Sequence, residues 1–336
     1  MVNKRYFVLG LGLALLLVFS VLGVWAAGEP EDPDADPYEE LDVTFIVGFG
    51  AGGSNDVSAR FTAQALRDHG INVDVVNMTG GMGADAAYHA SNLPPAEESM
   101  TFFWSVPSTL IFEPAIGERG YTIEDFDFVG LMASPTYVFA TRPHAPFDDW
   151  QGLVEYIEDN PGELTLGGQG HGGMLHFMTQ LILPREEYDY EYVGFAGGAD
   201  VATNLIGDHV EFAHLSLAAA GPLRDDGELT PLVNTQTLVD RDPAMPDVPN
   251  ITEINPDIEG EPHGVGLYAP KGTDPALIDR ITSAMAEVAQ SEDLQQKMQD
   301  EGMILHYLPP EEHEDFMMGI YEDLVPMFNE WHETLD

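Results

Sequence analysis

Four glycine-rich segments each follow a short apolar run: Gly48–Gly53 after Val43–Val47, Thr79–Gly83 after Val73–Val76, Gly167–Gly173 after Leu164–Leu166, and Ala196–Gly198 after Tyr190–Val193. A strand that turns on glycine into a helix leaves backbone N–H groups free and points the positive end of the helix dipole at the turn. Such a turn holds an anion without a cationic side chain. That matters in a chain with only 12 Lys and Arg. Arg60 falls on the helix after the first loop, and Arg142 is the one other basic residue with a place near a cleft. The chemistry on offer is capture of a carboxylate by N–H groups, hydroxyls and water. One such loop reads better as a plain connection; four leave the two readings level.

Other chemistries fit less well. Gly48-Phe-Gly50-Ala-Gly52-Gly53 matches the dinucleotide pattern G-x-G-x-x-G, with Asp68 or Asp74 as the acid for a ribose. The second strand, however, ends in Val75-Val76-Asn77, where that acid is needed. No cofactor is expected. The chain has no G-x-S-x-G, H-E-x-x-H or G-x-x-x-x-G-K motif. It has no cysteine, hence no thiolate nucleophile, disulfide or thiolate zinc site. His171 and His176 read as polar residues at a loop mouth or helix cap rather than as a metal pair. Asp56, in the first turn of its helix, reads as a cap, with capture of a ligand's amino group as the alternative. Phe103 and Trp104 read as core.

Several elements must position these loops. From Ser54 the apolar period becomes helical through Val57, Phe61, Ala65 and Leu66, and stops near Gly70. Thr101–Val106 and Leu131–Ala140 read as strands, the second a long one ended by Arg142-Pro143. Trp150–Ile157 reads as a short helix, and Val210–Ala213 and Leu232–Asn234 as further strands. Asp274-Pro275 caps a helix with Leu277, Ile281, Met285 and Val288 on one face. A last helix carries Phe316, Ile320, Leu324, Phe328 and Trp331. Strand–helix alternation of this kind specifies an α/β fold with parallel strands.

The formal charge is −46, from 58 acids against 12 bases. A phosphate backbone would be repelled, so nucleic acid is excluded as a partner. The acids are spread along the chain. At about 1 M salt the Debye length falls to about 3 Å and most of their repulsion is screened. The expected habitat is therefore salt-rich, as in a halophile. At the N-terminus, Lys4-Arg5 precedes an uncharged apolar run from Tyr6 to Ala27. It reads as a secretory leader, with an uncleaved membrane anchor as the rival. Either places the rest outside the cytoplasm. The Pro- and acid-rich stretch Gly28–Glu40 reads as an extended tether.

At these loops the chain resembles the solute-binding proteins of tripartite tricarboxylate transporters. The family's P-F-x-x-G-G-x-x-D turn is similar to Gly48-Phe49-Gly50-Ala51-Gly52-Gly53-Ser54-Asn55-Asp56, with Gly48 in place of proline. Its V-V-x-N-x-x-G-x-G-G stretch resembles Val75–Gly83, and its Asp-Phe pair after Tyr-Thr resembles Asp125-Phe126 after Tyr121-Thr122. The run from Pro161-Gly162 through Gly167 to His176 is matched in order, with Gly173 where serine is common. Val193–Gly197 matches a loop whose usual lysine is Ala196 here. Met245–Glu253 and Ala269–Pro275 complete the series.

The resemblance implies a two-lobe type II periplasmic-binding-protein fold, α/β, with a ligand cleft between the lobes. It places lobe 1 at residues 42–136 plus 236–336 and lobe 2 at 137–235, after a leader at 1–27 and a linker at 28–41. It implies ligand contacts at Phe49, Ala51, Gly52, Gly53, Ser54, Asp56, Ser108, Thr109, Gly168, Gln169, Gly170, His171, Gly172, Phe195, Gly197, Gly198 and Ala199. It implies a monomer, not an enzyme, that captures a small di- or tricarboxylate and delivers it to a membrane permease with large and small subunits. A membrane-tethered sensor or scaffold, or an exported α/β enzyme, are the alternatives. Valine at Gly52 or Gly53 is expected to block backbone approach of the ligand and abolish binding.

Overall fold

The computed structural model describes residues 38–236, 241–256, 258 and 261–335. The leader and most of the tether lie outside the described residues, and of residues 1–40 only the turn Tyr38–Glu40 is described.

From Leu41 onward two sheets form. The first is six-stranded and holds β1 (Leu41–Val47), β2 (Ile71–Asn77), β3 (Thr101–Ser105), β4 (Phe126–Pro135), β10 (Val265–Pro270) and β11 (Met303–Leu308). Its spatial order is β11-β4-β10-β3-β1-β2, with β1, β2 and β3 parallel and β10 antiparallel to β3 and β4. The second sheet holds β5 (Tyr137–Thr141), β6 (Thr165–Gln169), β7 (Glu191–Phe195), β8 (Phe212–Ser216) and β9 (Thr230–Asn234) in the order β7-β6-β8-β5-β9. Here β6, β7 and β8 are parallel and β5 runs against β8 and β9.

Helices fill the crossovers: α1 (Ser54–Leu66), α2 (Ala84–Ser91), α3 (Trp150–Asp159), α4 (Met174–Ile182), α5 (Gly198–Ile206) and α6 (Leu217–Asp225). After β10 come α7 (Pro275–Val288), α8 (Glu292–Asp300) and the long α9 (Pro310–His332). Helix starts follow local chemistry. The Ala276 N–H donates to Asp274 Oδ1 at 2.9 Å with Pro275 at the first position, and the Gly152 N–H donates to Asp149 Oδ1 at 2.7 Å. Phe103 and Trp104 are fully buried. Trp104 stacks on Phe45 with centroids 5.8 Å apart, and its indole N–H donates to Ser58 Oγ at 3.1 Å. Both are core, as their apolar setting requires.

The long strand expected at Leu131–Ala140 is two strands in different sheets. The chain crosses at Thr136, whose N–H donates to Gly302 C=O at 3.1 Å beside the first sheet, while its C=O accepts from the Leu217 N–H at 2.8 Å at the head of α6. The run reads as one strand because β4 and β5 are each almost wholly buried and apolar on both sides of the break, which falls at Ser134-Pro135-Thr136, where the proline is the local mark of an interrupted strand. The return crossing runs from β9 to β10. There the Thr235 N–H donates to Tyr137 C=O at 3.0 Å and the Glu261 N–H to Thr235 C=O at 2.8 Å.

The sheets also share a core on one flank. Phe177 of α4 packs against Phe328 of α9, with centroids 5.3 Å apart, and Phe112 meets Phe328 edge-on at 5.0 Å.

Candidate functional site

Strand register decides which loops meet. The start of β5 pairs with the carboxyl end of β8, Tyr137 opposite Ser216. Near the start of β10, Gly266 sits opposite Ser105, the last residue of β3. Both parallel strand sets therefore end at the edge where the chain crosses between sheets. In open α/β sheets this carboxyl edge is where ligands bind. Phe49, Ala51, Gly52, Gly53, Ser54 and Asp56 lie on the β1–α1 loop and the first turn of α1, and Ser108 and Thr109 follow β3. Gly168, Gln169, Gly170, His171 and Gly172 follow or end β6, Phe195 ends β7, Gly197 lies between, and Gly198 and Ala199 open α5. The structure thus brings two of these groups to the end of each sheet.

The first loop is organised by Asp56, which is 2% exposed. Its carboxylate accepts from the Gly52 N–H at 2.9 Å, the Asn77 amide at 2.9 Å and the Arg60 guanidinium at 3.0 Å. The Asn77 amide also donates to Phe49 C=O at 2.9 Å, and Arg60 donates to Asn77 Oδ1 at 3.0 Å. Burial works to raise the Asp56 carboxyl, but the hydrogen bonds from Arg60, Gly52 and Asn77 outweigh it and hold it below the usual carboxylate range. Both oxygens are engaged, and Asp56 anchors the loop. Asn77 completes the network. Its position at the end of β2 counted against a ribose site and did not reveal this role.

Three loops close on one another without side chains between them. A Cβ on Gly48 would stand 2.8 Å from Gly83 Cα, and one on Gly83 would stand 2.6 Å from Thr109 Oγ1. Thr109 is fully buried, and its hydroxyl donates to Met82 C=O at 2.8 Å. It braces the Thr79–Gly83 loop, and only its neighbour Ser108 remains partly open. The same packing accounts for glycine at position 48.

In the second sheet the β6–α4 loop is tied down from behind. A Cβ on Gly168 would collide with the Tyr192 hydroxyl at 2.3 Å, and that hydroxyl donates to Gly170 C=O at 3.1 Å. The Gly170 N–H donates to Phe195 C=O at 2.8 Å, joining this loop to the next. Gly170 and Gly172 have φ of 69° and 76°. His176, 4% exposed, accepts from the Gly172 N–H through Nδ1 at 3.1 Å. Burial, with His171 and Arg185 nearby, pushes its imidazole down to about 3, so it is neutral at ordinary pH. His171 is exposed, 4.9 Å away between ring centroids. The pair is a contact of rings, and His176 closes the loop before α4 much as a cap would. The Gln169 amide nitrogen is buried and has no hydrogen-bond partner among the described residues.

A different hollow, a groove of about 510 Å³ between α1 and the α7–α8 turn, is lined by Asp68, His69, Glu287 and Asp293 among others. It is formed by helix flanks and receives no strand end.

Glycine has two uses in the first loop. Gly52 has φ +83° and open space around it, so the objection to a side chain there is backbone strain and not a clash. Gly53 is extended, with φ −79°, and its Cβ would make an ordinary contact of 3.5 Å to Gly50 C=O. Gly52→Ala is expected to cost about 1–2 kcal/mol in a thermal melt. Gly53→Ala is expected to stay within about 0.5 kcal/mol. Equal losses for the two variants would remove the strain argument.

A family profile described as the tripartite tricarboxylate transporter family receptor matches residues 105–319. A TctC solute-binding protein from Polaromonas, solved without ligand, is 24% identical, with 87% of this chain and 99% of that one covered and a TM-score of 0.72. An R. palustris protein solved with adipate is 24% identical, covers 86% of this chain and 97% of its own, and has a TM-score of 0.73. MatC from Rhodopseudomonas palustris, solved with bound malate, is 22% identical over 88% and 98% of the two chains, with a TM-score of 0.67. These likenesses show the two-lobe α/β periplasmic-binding fold, and the profile spans the whole five-stranded sheet and β4, β10 and β11 of the first sheet. The chain belongs to the receptors of the tripartite tricarboxylate transporter family.

Proposed function

We propose that this receptor captures a small aliphatic di- or tricarboxylate in a cleft between its two sheets and delivers it to a membrane permease of large and small subunits. The observation that carries this reading is the loop edge. Glycine loops from both parallel strand sets end where the chain crosses, and two of them open helices α4 and α5. Two proteins of the same fold were solved with the dicarboxylates adipate and malate. The family is one of receptors, which implies an extracytoplasmic location. Among the described residues no helix is long and apolar enough to cross a membrane. The moving bodies are residues 42–136 with 236–336, and 137–235. Closure about Thr136 and the return crossing buries the ligand, driven by contacts made only in the closed state.

A chain of charge −46 must bind an anion. In salt-rich medium distant charges are screened, and local N–H donors decide affinity. A thermal-shift screen in about 1 M salt against adipate, malate, citrate, glutamate and NAD tests the reading. A ligand at 100 times its Kd stabilises by about 2.7 kcal/mol and raises the midpoint by a few degrees. A shift with one carboxylate class is the expected result; a shift with NAD alone would overturn it.

A further inference from the structure

The β6–α4 loop is shaped by a chain of contacts that ends in the opposite lobe. Its Gly172 N–H is held by His176 Nδ1 at 3.1 Å, so the imidazole carries its hydrogen on Nε2. One face of that ring lies on Tyr192, with centroids 3.6 Å apart and planes within 16°. Trp331 of α9 meets it edge-on, with centroids 4.9 Å apart. Tyr192 in turn holds Gly170 C=O through its hydroxyl. Two side chains of the same end of the chain reach the loop itself: a Cβ on Gly172 would stand 3.5 Å from His332 Nε2 and from Leu335 Cδ1. Helix α9 packs against β4 of the six-stranded sheet. A residue of one lobe therefore backs the ligand loop of the other.

We propose that His176 is a positioning residue for carboxylate capture: it holds the β6–α4 loop so that its remaining N–H groups face the ligand, and Trp331 holds His176 in place from the other lobe. The proposal rests on the carboxylate-capture reading above. Its chemistry is that of an acceptor. An N–H bonded to a buried neutral imidazole cannot turn toward the ligand, and the carbonyl held by Tyr192 cannot turn its lone pairs toward a carboxylate. The Gly170 N–H is likewise held, by Phe195 C=O at 2.8 Å, so the loop amides left to a ligand are those of His171 and Gly173. The loop geometry also depends on where α9 lies, which couples it to the relative position of the lobes.

Two exchanges separate positioning from bulk. His176→Asn keeps an acceptor near Nδ1, and His176→Phe keeps a ring without one. Tyr192→Phe removes only the hydroxyl and serves if the His176 variants fold poorly. The readouts are hydrogen exchange at the Gly172 amide, which needs no ligand, and calorimetric affinity for whichever of adipate, malate or citrate the unmodified protein binds. His176→Phe is expected to speed Gly172 exchange at least tenfold and weaken affinity at least tenfold, with His176→Asn restoring most of both at a similar melting temperature. Tyr192→Phe is expected to weaken affinity several-fold. Unchanged Gly172 exchange in His176→Phe overturns the proposal whatever the ligand screen gives. Affinity losses in the Asn and Phe variants that track their melting temperatures alike also overturn it. If the unmodified protein binds no carboxylate while Gly172 exchange still responds, the carboxylate reading fails and with it the role in capture, leaving only the structural contact.

Discussion

Transfer from about 1 M to about 0.1 M salt is expected to lower the melting temperature of this protein by about 10 °C or more. The reason is a charge of −46 with few bases to offset it. Seven of those bases are in local ion pairs among the described residues: Arg60 with Asp56, Arg119 with Glu113, Arg142 with Asp208, Arg224 with Asp225, Arg241 with Glu253, Lys271 with Asp127 and Lys297 with Asp293. With 58 acids against 12 bases, most acids must go without a Lys or Arg partner. Like charges on neighbouring helical positions cost about 0.2–0.5 kcal/mol per pair at low salt. A dozen such encounters amount to roughly 3–5 kcal/mol, comparable with the whole stability of many domains. Screening lengths drop from about 10 Å to about 3 Å over this salt range, which removes most of that repulsion. Melts in KCl and in an uncharged osmolyte separate screening from general exclusion. Rescue by salt and not by osmolyte is expected. Equal midpoints in dilute and molar salt would end the salt-habitat reading.

The second large effect lies at the return crossing. Glu261, 1% exposed, has one carboxylate oxygen 3.2 Å from His214 Nε2 and the other 3.0 Å from His263 Nε2, and accepts from the Thr235 hydroxyl at 2.9 Å. His214 stacks on Phe139 at 4.5 Å between centroids, and Tyr137 on His263 at 4.4 Å. The cluster joins β8, both crossings and the return segment. Glu261→Leu leaves the buried His263 imidazole and Thr235 hydroxyl without their acceptor, removes the charge facing His214, and is expected to cost about 3–5 kcal/mol. In a chain of this size that lowers the midpoint by about 10 °C. Replacing Glu261, His214 and His263 together by apolar residues is expected to cost less than the single change, because no polar partner is then stranded.

The same group gives a pH dependence. Burial alone would raise the Glu261 carboxyl; attraction to His214 and then the hydrogen bond and attraction from His263 outweigh it and hold it at about 2, against an ordinary 4.5. A carboxyl depressed on folding contributes stability that is complete above its unfolded pKa. The contribution is lost as pH falls from about 4.5 toward about 2. In molar salt, Glu261→Gln is expected to flatten the stability curve over that window. A curve of unchanged slope would show that Glu261 does not carry the acid transition.

Residue types alone specified much of this protein, because the relevant physics is local. Alternation of β-branched runs with helical periods marked β1, α1, β2 and β3 near their true bounds. Asp274-Pro275 announced α7, and the glycines at 48, 52 and 83 announced turns that a Cβ would strain or block. Ordered matches to a receptor family extended this to named loops. Tertiary structure decided the rest. The break at Thr136 has a local mark in Pro135, but only the structure shows that the chain changes sheet there rather than bulging within one. Asp56 as loop anchor depends on Asn77, which register alone brings beside it. Glu261 with His214 and His263, and Trp331 behind His176, are pairings across long stretches of chain. No period or turn chemistry encodes them; they exist only because two sheets close on a shared core.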